Sequence, residues 1–155
     1  MSVDVEWHGP FHFAAWPVAE VPAAAAGVYT IWDNDTLVYV GMSGRGRTAD
    51  QLSEEKTTGR RVGLWTRLNS HASGRRSGDQ FCVYVADRLV LPMLTAGDIE
   101  LIAAGALRLD DLVRAHIRER MSFRFTETVD GESAMHLETR LRSGDLGAKP
   151  LLNPH

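Results

Sequence analysis

Residues 27–41, GVYTIWDNDTLVYVG, decide how this chain is read. Two runs of β-branched and aromatic residues flank Asp33-Asn34-Asp35, which is turn chemistry, so the stretch reads as a β-hairpin. Tyr29 and Tyr39 fall near the same end of that hairpin, with Gly27 and Gly41 beside them. Side chains on one face of paired strands touch directly or diagonally, so the two phenols can face a shared pocket. Glycines at those positions admit a ligand or another backbone. A hairpin built only for packing has no need of that arrangement, although the hairpin alone leaves packing tyrosines open.

Working outward, residues 1–26 carry Trp7, Phe11, Phe13 and Trp16 among prolines and read as an N-terminal extension of edge strands or a cap on the core. Residues 44–61, GRGRTADQLSEEKTTGRR, are polar and glycine-punctuated, an insertion or long loop with room for one short helix. VGLWTRLNSHAS predicts a short helix, with Leu64 and Leu68 at i, i+4. The apolar run DQFCVYVADRLVL predicts a third, central strand. TAGDIELIAAG and LDDLVRAHIRERM predict helices, SFRFTET a strand or extended segment, and GESAMHLETRLRSG a helix closed by Gly144. The expected fold is a small α+β domain. A mainly antiparallel sheet of about three strands is flanked by helices, with the functional domain over 27–155 and a basic insertion at 44–61.

The 155 residues are enough for one well-buried domain and too few for two. The single cysteine, Cys82, lies in an apolar run, so a buried thiol in a reducing, cytoplasmic setting is expected. No apolar run approaches the roughly 20 residues that cross a bilayer, and no targeting signal is read. Net charge is −3, which excludes a generally basic nucleic-acid coat. The charge is uneven, however. Residues 44–78 hold Arg45, Arg47, Lys56, Arg60, Arg61, Arg67, Arg75 and Arg76 against three acidic residues, a net of +5 that leaves −8 elsewhere. One basic zone on an acidic molecule is the footprint of a localised polyanion site, or of a solvated arginine-rich loop.

Further polar residues could join the phenols. Arg67 and His71, in RLNSH, share a helix face at i, i+4, and a guanidinium there suits bidentate contact with phosphate. Glu138, in HLETRL, borders an apolar stripe; it can bind a hard divalent cation or pair with Arg142. Asn153 follows KPLL and can either fix the tail or orient a phenol.

In this order these features resemble the GIY-YIG nuclease family. GVY stands for its first motif and YVG for its second. The helix of Arg67 and His71, the helix of Glu138 and the KPLLN asparagine follow, so the likeness runs from Gly27 to Asn153. The resemblance implies hydrolysis of DNA phosphodiesters with one divalent metal, Mg2+ or Mn2+, held by Glu138 against the leaving oxygen. It implies that Tyr29 acts as, or orients, the general base and that Tyr39 positions the phosphate. Arg67 would neutralise charge in the transition state, His71 would assist at the phosphate or in the base relay, and Asn153 would support Tyr29. An unperturbed tyrosine titrates near 10, so a phenolate base needs nearby cations, which Arg67 and the metal could supply.

Many family members carry lysine just after the second motif, where this chain has Met42; Arg45 and Arg47 are the nearest substitutes. The insertion resembles the DNA-gripping loops of restriction-type members, which gives Arg45, Arg47, Lys56, Arg60, Arg61, Arg75 and Arg76 a role as phosphate contacts. The expectation is therefore a metal-dependent DNA endonuclease. Its sequence specificity would come from the insertion, a homodimer or a partner protein, or else be low. The alternatives are a catalytically weak DNA-binding module on the same scaffold, or a nuclease toxin or defence effector acting on DNA or RNA.

Overall fold

In a computed structural model the chain is described over residues 4–154, so the first three residues of the expected N-terminal extension and the last residue of the expected domain lie outside the described residues. The hairpin forms as the sequence requires. Strand β2 (Ala24–Asp33) pairs antiparallel with β3 (Thr36–Ser43) across a two-residue turn in which Asn34 takes φ 53°, a conformation asparagine tolerates. The sheet order is β1-β5-β2-β3, with β1 (His8–His12) and β5 (Met121–Thr128) also antiparallel. A two-residue strand β4 (Val62–Gly63) adds a parallel pairing to the start of β2. The sheet is thus larger than the three strands expected, and the fold is α+β.

Among the described residues, six α-helices join the sheet: α1 (Ala49–Thr58), α2 (Leu64–Ser73), α3 (Gln80–Val85), α4 (Ala96–Ala103), α5 (Leu109–Arg120) and α6 (Gly131–Arg140). Helices α2, α3 and α5 cover one face of the sheet. Their Leu64, Leu68, Phe81, Val85, Val113 and Ile117 pack against Tyr29, Ile31, Phe123 and Phe125. Helix α6 covers the other face, where Ala134 and Leu141 meet Val28, Leu37 and Val40. Burying a side chain of the size of Leu68 stabilises the fold by roughly 1.5–3 kcal/mol, which is why the short α2 holds its register.

The extension is part of the core. Phe13 and Trp16 are buried in the larger cluster, and β2 begins at Ala24, inside the span assigned to the extension. The expected strand over DQFCVYVADRLVL is a helix instead. Asp79 caps α3 by accepting from the Cys82 N–H, and helical turns continue through Met93. Phe81, Cys82, Val85, Ala86 and Val90 are its buried apolar residues, at the spacing of one helix face. The β-branched and aromatic composition favoured a strand, but the 3.6-residue period and the cap prevail. β5 holds the central position that this run was expected to fill.

A β-bulge sets the geometry of the site. Ile31 pairs with Tyr39 while the next residue, Trp32, pairs with Leu37, so Val38 is the extra residue. The bulge shifts the alternation of β3 by one and turns Tyr39 to the face that carries Tyr29. Among the described residues, no helix is long and apolar enough to cross a membrane.

Candidate active site

A polar cavity of about 290 Å³ opens where β3 ends, and Tyr29, Tyr39, Arg45, Arg67, His71 and Glu138 are among the side chains that line it. The structure therefore gathers five of the six residues expected at the site, and they come from three structural sources. Tyr29 and Tyr39 are diagonal neighbours on one sheet face, with ring centroids 6.3 Å apart. Arg67 and His71 come from one face of α2. Glu138 comes from α6, on the far side of the sheet, and reaches the cavity beyond the end of β3.

At the floor of the cavity, the Tyr29 hydroxyl lies 2.7 Å from His71 Nε2, and both residues are only 2% exposed. His71 Nδ1 lies 2.6 Å from Asp79 Oδ2, which also accepts from Ser70 Oγ at 2.6 Å. Asp79 is missing from the expected site. Its signal was present, a Gly-Asp pair before an apolar run, which marks a helix N-cap as well as a strand start.

Burial pushes the Asp79 carboxyl up, but the hydrogen bonds from His71 and Ser70, the attraction of the His71 ring and the Cys82 N–H outweigh it. The carboxyl is brought down to about 2. Burial lowers the His71 pKa, with Arg67 acting in the same sense, against the opposing pull of Asp79. The ring is neutral at pH 7. A carboxylate can only accept, so the ring proton sits on Nδ1 and Nε2 accepts from the Tyr29 hydroxyl.

Burial holds the Tyr29 phenol well above its usual 10, and Tyr39, Asp79 and Glu138 add to the rise; Arg67 lowers it but does not prevail. Burial, with Asp79 and Glu138, lifts Tyr39 to about 12. Arg67 alone therefore does not supply the positive charge that a phenolate base was expected to need. Both phenols carry their protons at neutral pH, and His71 Nε2 is the side-chain acceptor at the Tyr29 hydroxyl among the described residues.

Arg67 is exposed to the cavity and forms no ion pair among the described residues. Glu138 Oε1 lies 3.5 Å from Arg142 Nη1, so both the cavity position and the i, i+4 pair foreseen for it occur together. Arg142 also donates to the Pro154 carbonyl and lowers the Tyr39 pKa, so it is a further cation near the site. Among the described residues, no group of three or more His, Cys, Asp or Glu side chains could enclose a metal. Glu138 remains as one hard oxygen donor on a polar cavity. That donor set suits a magnesium-like ion, which keeps most of its waters and takes its other ligands from a phosphate.

Asn153 does not line the cavity. Its side-chain oxygen accepts from Val40 N at 2.8 Å and its amide donates to Val40 O at 2.9 Å. With Leu151 N–H and Leu152 N–H donating to Leu37 and Val38 carbonyls, it pins the tail along the outer edge of β3. The expected support of Tyr29 by Asn153 is therefore replaced. His71 holds the Tyr29 hydroxyl, and Asn153 steadies the strand that carries Tyr39.

Of the expected DNA-contacting residues, Arg45 lines the cavity and Lys56, Arg60 and Arg75 are exposed. Arg61 lies over the Trp65 ring, 4.1 Å from its centroid. Arg47 and Arg76 are engaged, pairing at 2.6 Å with Glu55 and Asp110 respectively. Of the two substitutes for the family lysine, Arg45 is thus the one at the cavity. Comparison with protein-family models, with curated proteins and with solved structures returns no match.

Proposed function

We propose that the protein is a metal-dependent endonuclease that hydrolyses DNA phosphodiester bonds. The observation that carries this reading is the cavity itself. It joins two phenols, one of them backed by a neutral imidazole, with the Arg45 and Arg67 guanidinium groups and the Asp79 and Glu138 carboxylates. The resemblance to GIY-YIG nucleases supports the same assignment.

Phosphodiester hydrolysis needs a proton acceptor for the attacking water and positive charge around the phosphate oxygens. Tyr29, hydrogen-bonded to His71, accepts the water's proton. Arg67 binds the non-bridging oxygens and stays charged throughout. Arg45 faces the same cavity from the β3 end and adds a second positive charge. Tyr39, protonated, donates a hydrogen bond that orients the phosphate. Glu138 would hold a magnesium or manganese ion, whose charge would stabilise the leaving oxygen.

Arg45 at the cavity and the Lys56, Arg60, Arg61 and Arg75 side chains of the basic stretch would bind flanking phosphates without reading sequence. A cytoplasmic setting fits the buried, unpaired Cys82. One cavity cuts one strand per engagement, so double-strand cleavage calls for a homodimer, a partner protein or two successive events. Met42, standing where many members of that family carry lysine, favours the rival reading, a catalytically weak DNA-binding module. Nicking of supercoiled plasmid in magnesium, with EDTA and with RNA as comparisons, decides between them. EDTA-sensitive nicking is expected; binding without nicking would leave the module.

A further inference from the structure

We infer that Asp79 is a positioning residue of this site: it fixes the Nδ1–H tautomer of His71, so that Nε2 is held ready to take the Tyr29 proton. The inference rests on the nuclease reading for its consequence and on side-chain geometry for its content.

The two oxygens of Asp79 divide two tasks. Oδ1 accepts from Cys82 N at 3.1 Å and caps α3. Oδ2 accepts from His71 and from Ser70. A cap alone needs one acceptor, and asparagine serves there as well as aspartate. The second oxygen, its side chain wholly buried against His71, is what a cap does not require. An ionised acceptor at that place both orients the ring and stabilises the imidazolium that forms when Nε2 gains a proton.

The groups facing the ring are few. Tyr29 comes from β2 and Tyr39 from β3, Arg67 from the same helix, and Phe81 and Cys82 from α3. From α5, Arg118 donates to the carbonyl of Ala72, the next residue. Among these, Asp79 alone is an anion in hydrogen-bond contact.

The step then balances. As the water oxygen forms its bond to phosphorus, the water's proton passes to Tyr29 Oη, and the Tyr29 proton passes to His71 Nε2. The bond from phosphorus to the leaving oxygen breaks, and that oxygen takes a proton from solvent. The imidazolium returns its proton to solvent through Tyr29, restoring the starting state.

Asp79→Asn separates the two tasks. The amide oxygen can still cap α3, while an NH₂ group replaces the oxygen facing Nδ1. A donor there forces Nδ1 to accept, which moves the ring proton to Nε2 and leaves nothing to receive the Tyr29 proton. In single-turnover plasmid nicking with magnesium, Asp79→Asn is expected to lose about 10²–10⁴-fold in rate. DNA affinity should stay within about 3-fold of the wild type, because the defect lies in the chemical step.

Nitrogen-15 NMR of the free proteins is expected to place the His71 proton on Nδ1 in the wild type and on Nε2 in the variant. A folded Asp79→Asn that nicks at the wild-type rate overturns the inference, as does a wild-type His71 protonated on Nε2. The wild-type spectrum needs no variant, so it decides the matter even if Asp79→Asn does not fold. A wild type that cleaves neither plasmid nor RNA removes the nuclease reading; the tautomer measured in that same protein then upholds or overturns the positioning role by itself.

Discussion

Gly41 lies opposite Tyr29 in the β2–β3 ladder, and the phenol occupies the space that any side chain at position 41 would fill. This accounts for the glycine of YVG. It lets the Tyr29 ring lie flat across β3 and bring its hydroxyl to His71. The glycine of GVY has a different cause, since a Cβ on Gly27 would strike the Thr126 carbonyl of β5 and Leu64 of α2.

Gly41→Ala should therefore displace the phenol. Overpacking of this kind costs roughly 1–3 kcal/mol of stability. The lost hydrogen bond to His71 should cut the nicking rate by about 10²-fold, the lower end of a general-base contribution. Thermal unfolding and single-turnover kinetics measure the two effects. Gly97→Ala, at the start of α4 where a methyl group meets only Thr95 Oγ1 at 3.7 Å, should lower neither. A Gly41→Ala protein with full activity would show that the Tyr29–His71 contact is not used.

Glu138→Ala should abolish nicking in magnesium and leave salt-dependent DNA binding in place. The carboxylate makes only a long contact with Arg142, at 3.5 Å, so its removal should cost no more than about 0.5 kcal/mol of stability. Gel-shift titration beside the nicking assay separates the outcomes. Retained nicking in this variant would take the metal away from Glu138.

Acid should impair the site in two stages. His71 has a folded pKa below 6.5, so it contributes stability that is present above 6.5 and lost as pH falls through the folded value. Protonated His71 cannot accept from Tyr29, so the nicking rate should fall over that same range, below pH 6.5. Asp79 is also depressed, from 3.8 to about 2, and its stabilisation should disappear between those values as pH falls. Denaturation midpoints across pH give the second stage. A nicking rate that rises as pH falls below 6.5 would contradict a neutral His71 in the relay.

The hairpin, α2 and α6 were legible because local chemistry and long-range packing agree there: turn residues, a 3.6-residue stripe and a glycine stop all point the same way. That agreement was enough to bring Tyr29, Tyr39, Arg67, His71 and Glu138 to one place. It failed at QFCVYVA, where β-favouring side chains sit on a helix held by tertiary contacts and by Asp79. Misreading that element hid Asp79, because a residue at the head of a strand gives no reason to look towards His71. Asn153 was ambiguous for another reason. Its partner, the Val40 backbone, is 113 positions away, and no local pattern encodes such a pairing.

The last prediction concerns the basic zone, which the structure divides in two. Arg47 and Arg76 are tied to Glu55 and Asp110, while Arg45, Lys56 and Arg60 are exposed without such ties among the described residues. If exposed charge grips phosphate, reversing Arg45, Lys56 and Arg60 to glutamate should weaken binding and flatten its dependence on salt. Each lost phosphate contact lowers the log–log slope by roughly 0.9. Arg47→Ala should act differently. It breaks the pair with Glu55 between the loop after β3 and α1, so it should loosen α1 and change the salt slope less. Binding titrations at several salt concentrations, read beside thermal unfolding, test this division. Equal slopes for the triple reversal and the wild type would mean that DNA does not pass over this face, and the arginines of 44–61 would then be a solvated surface.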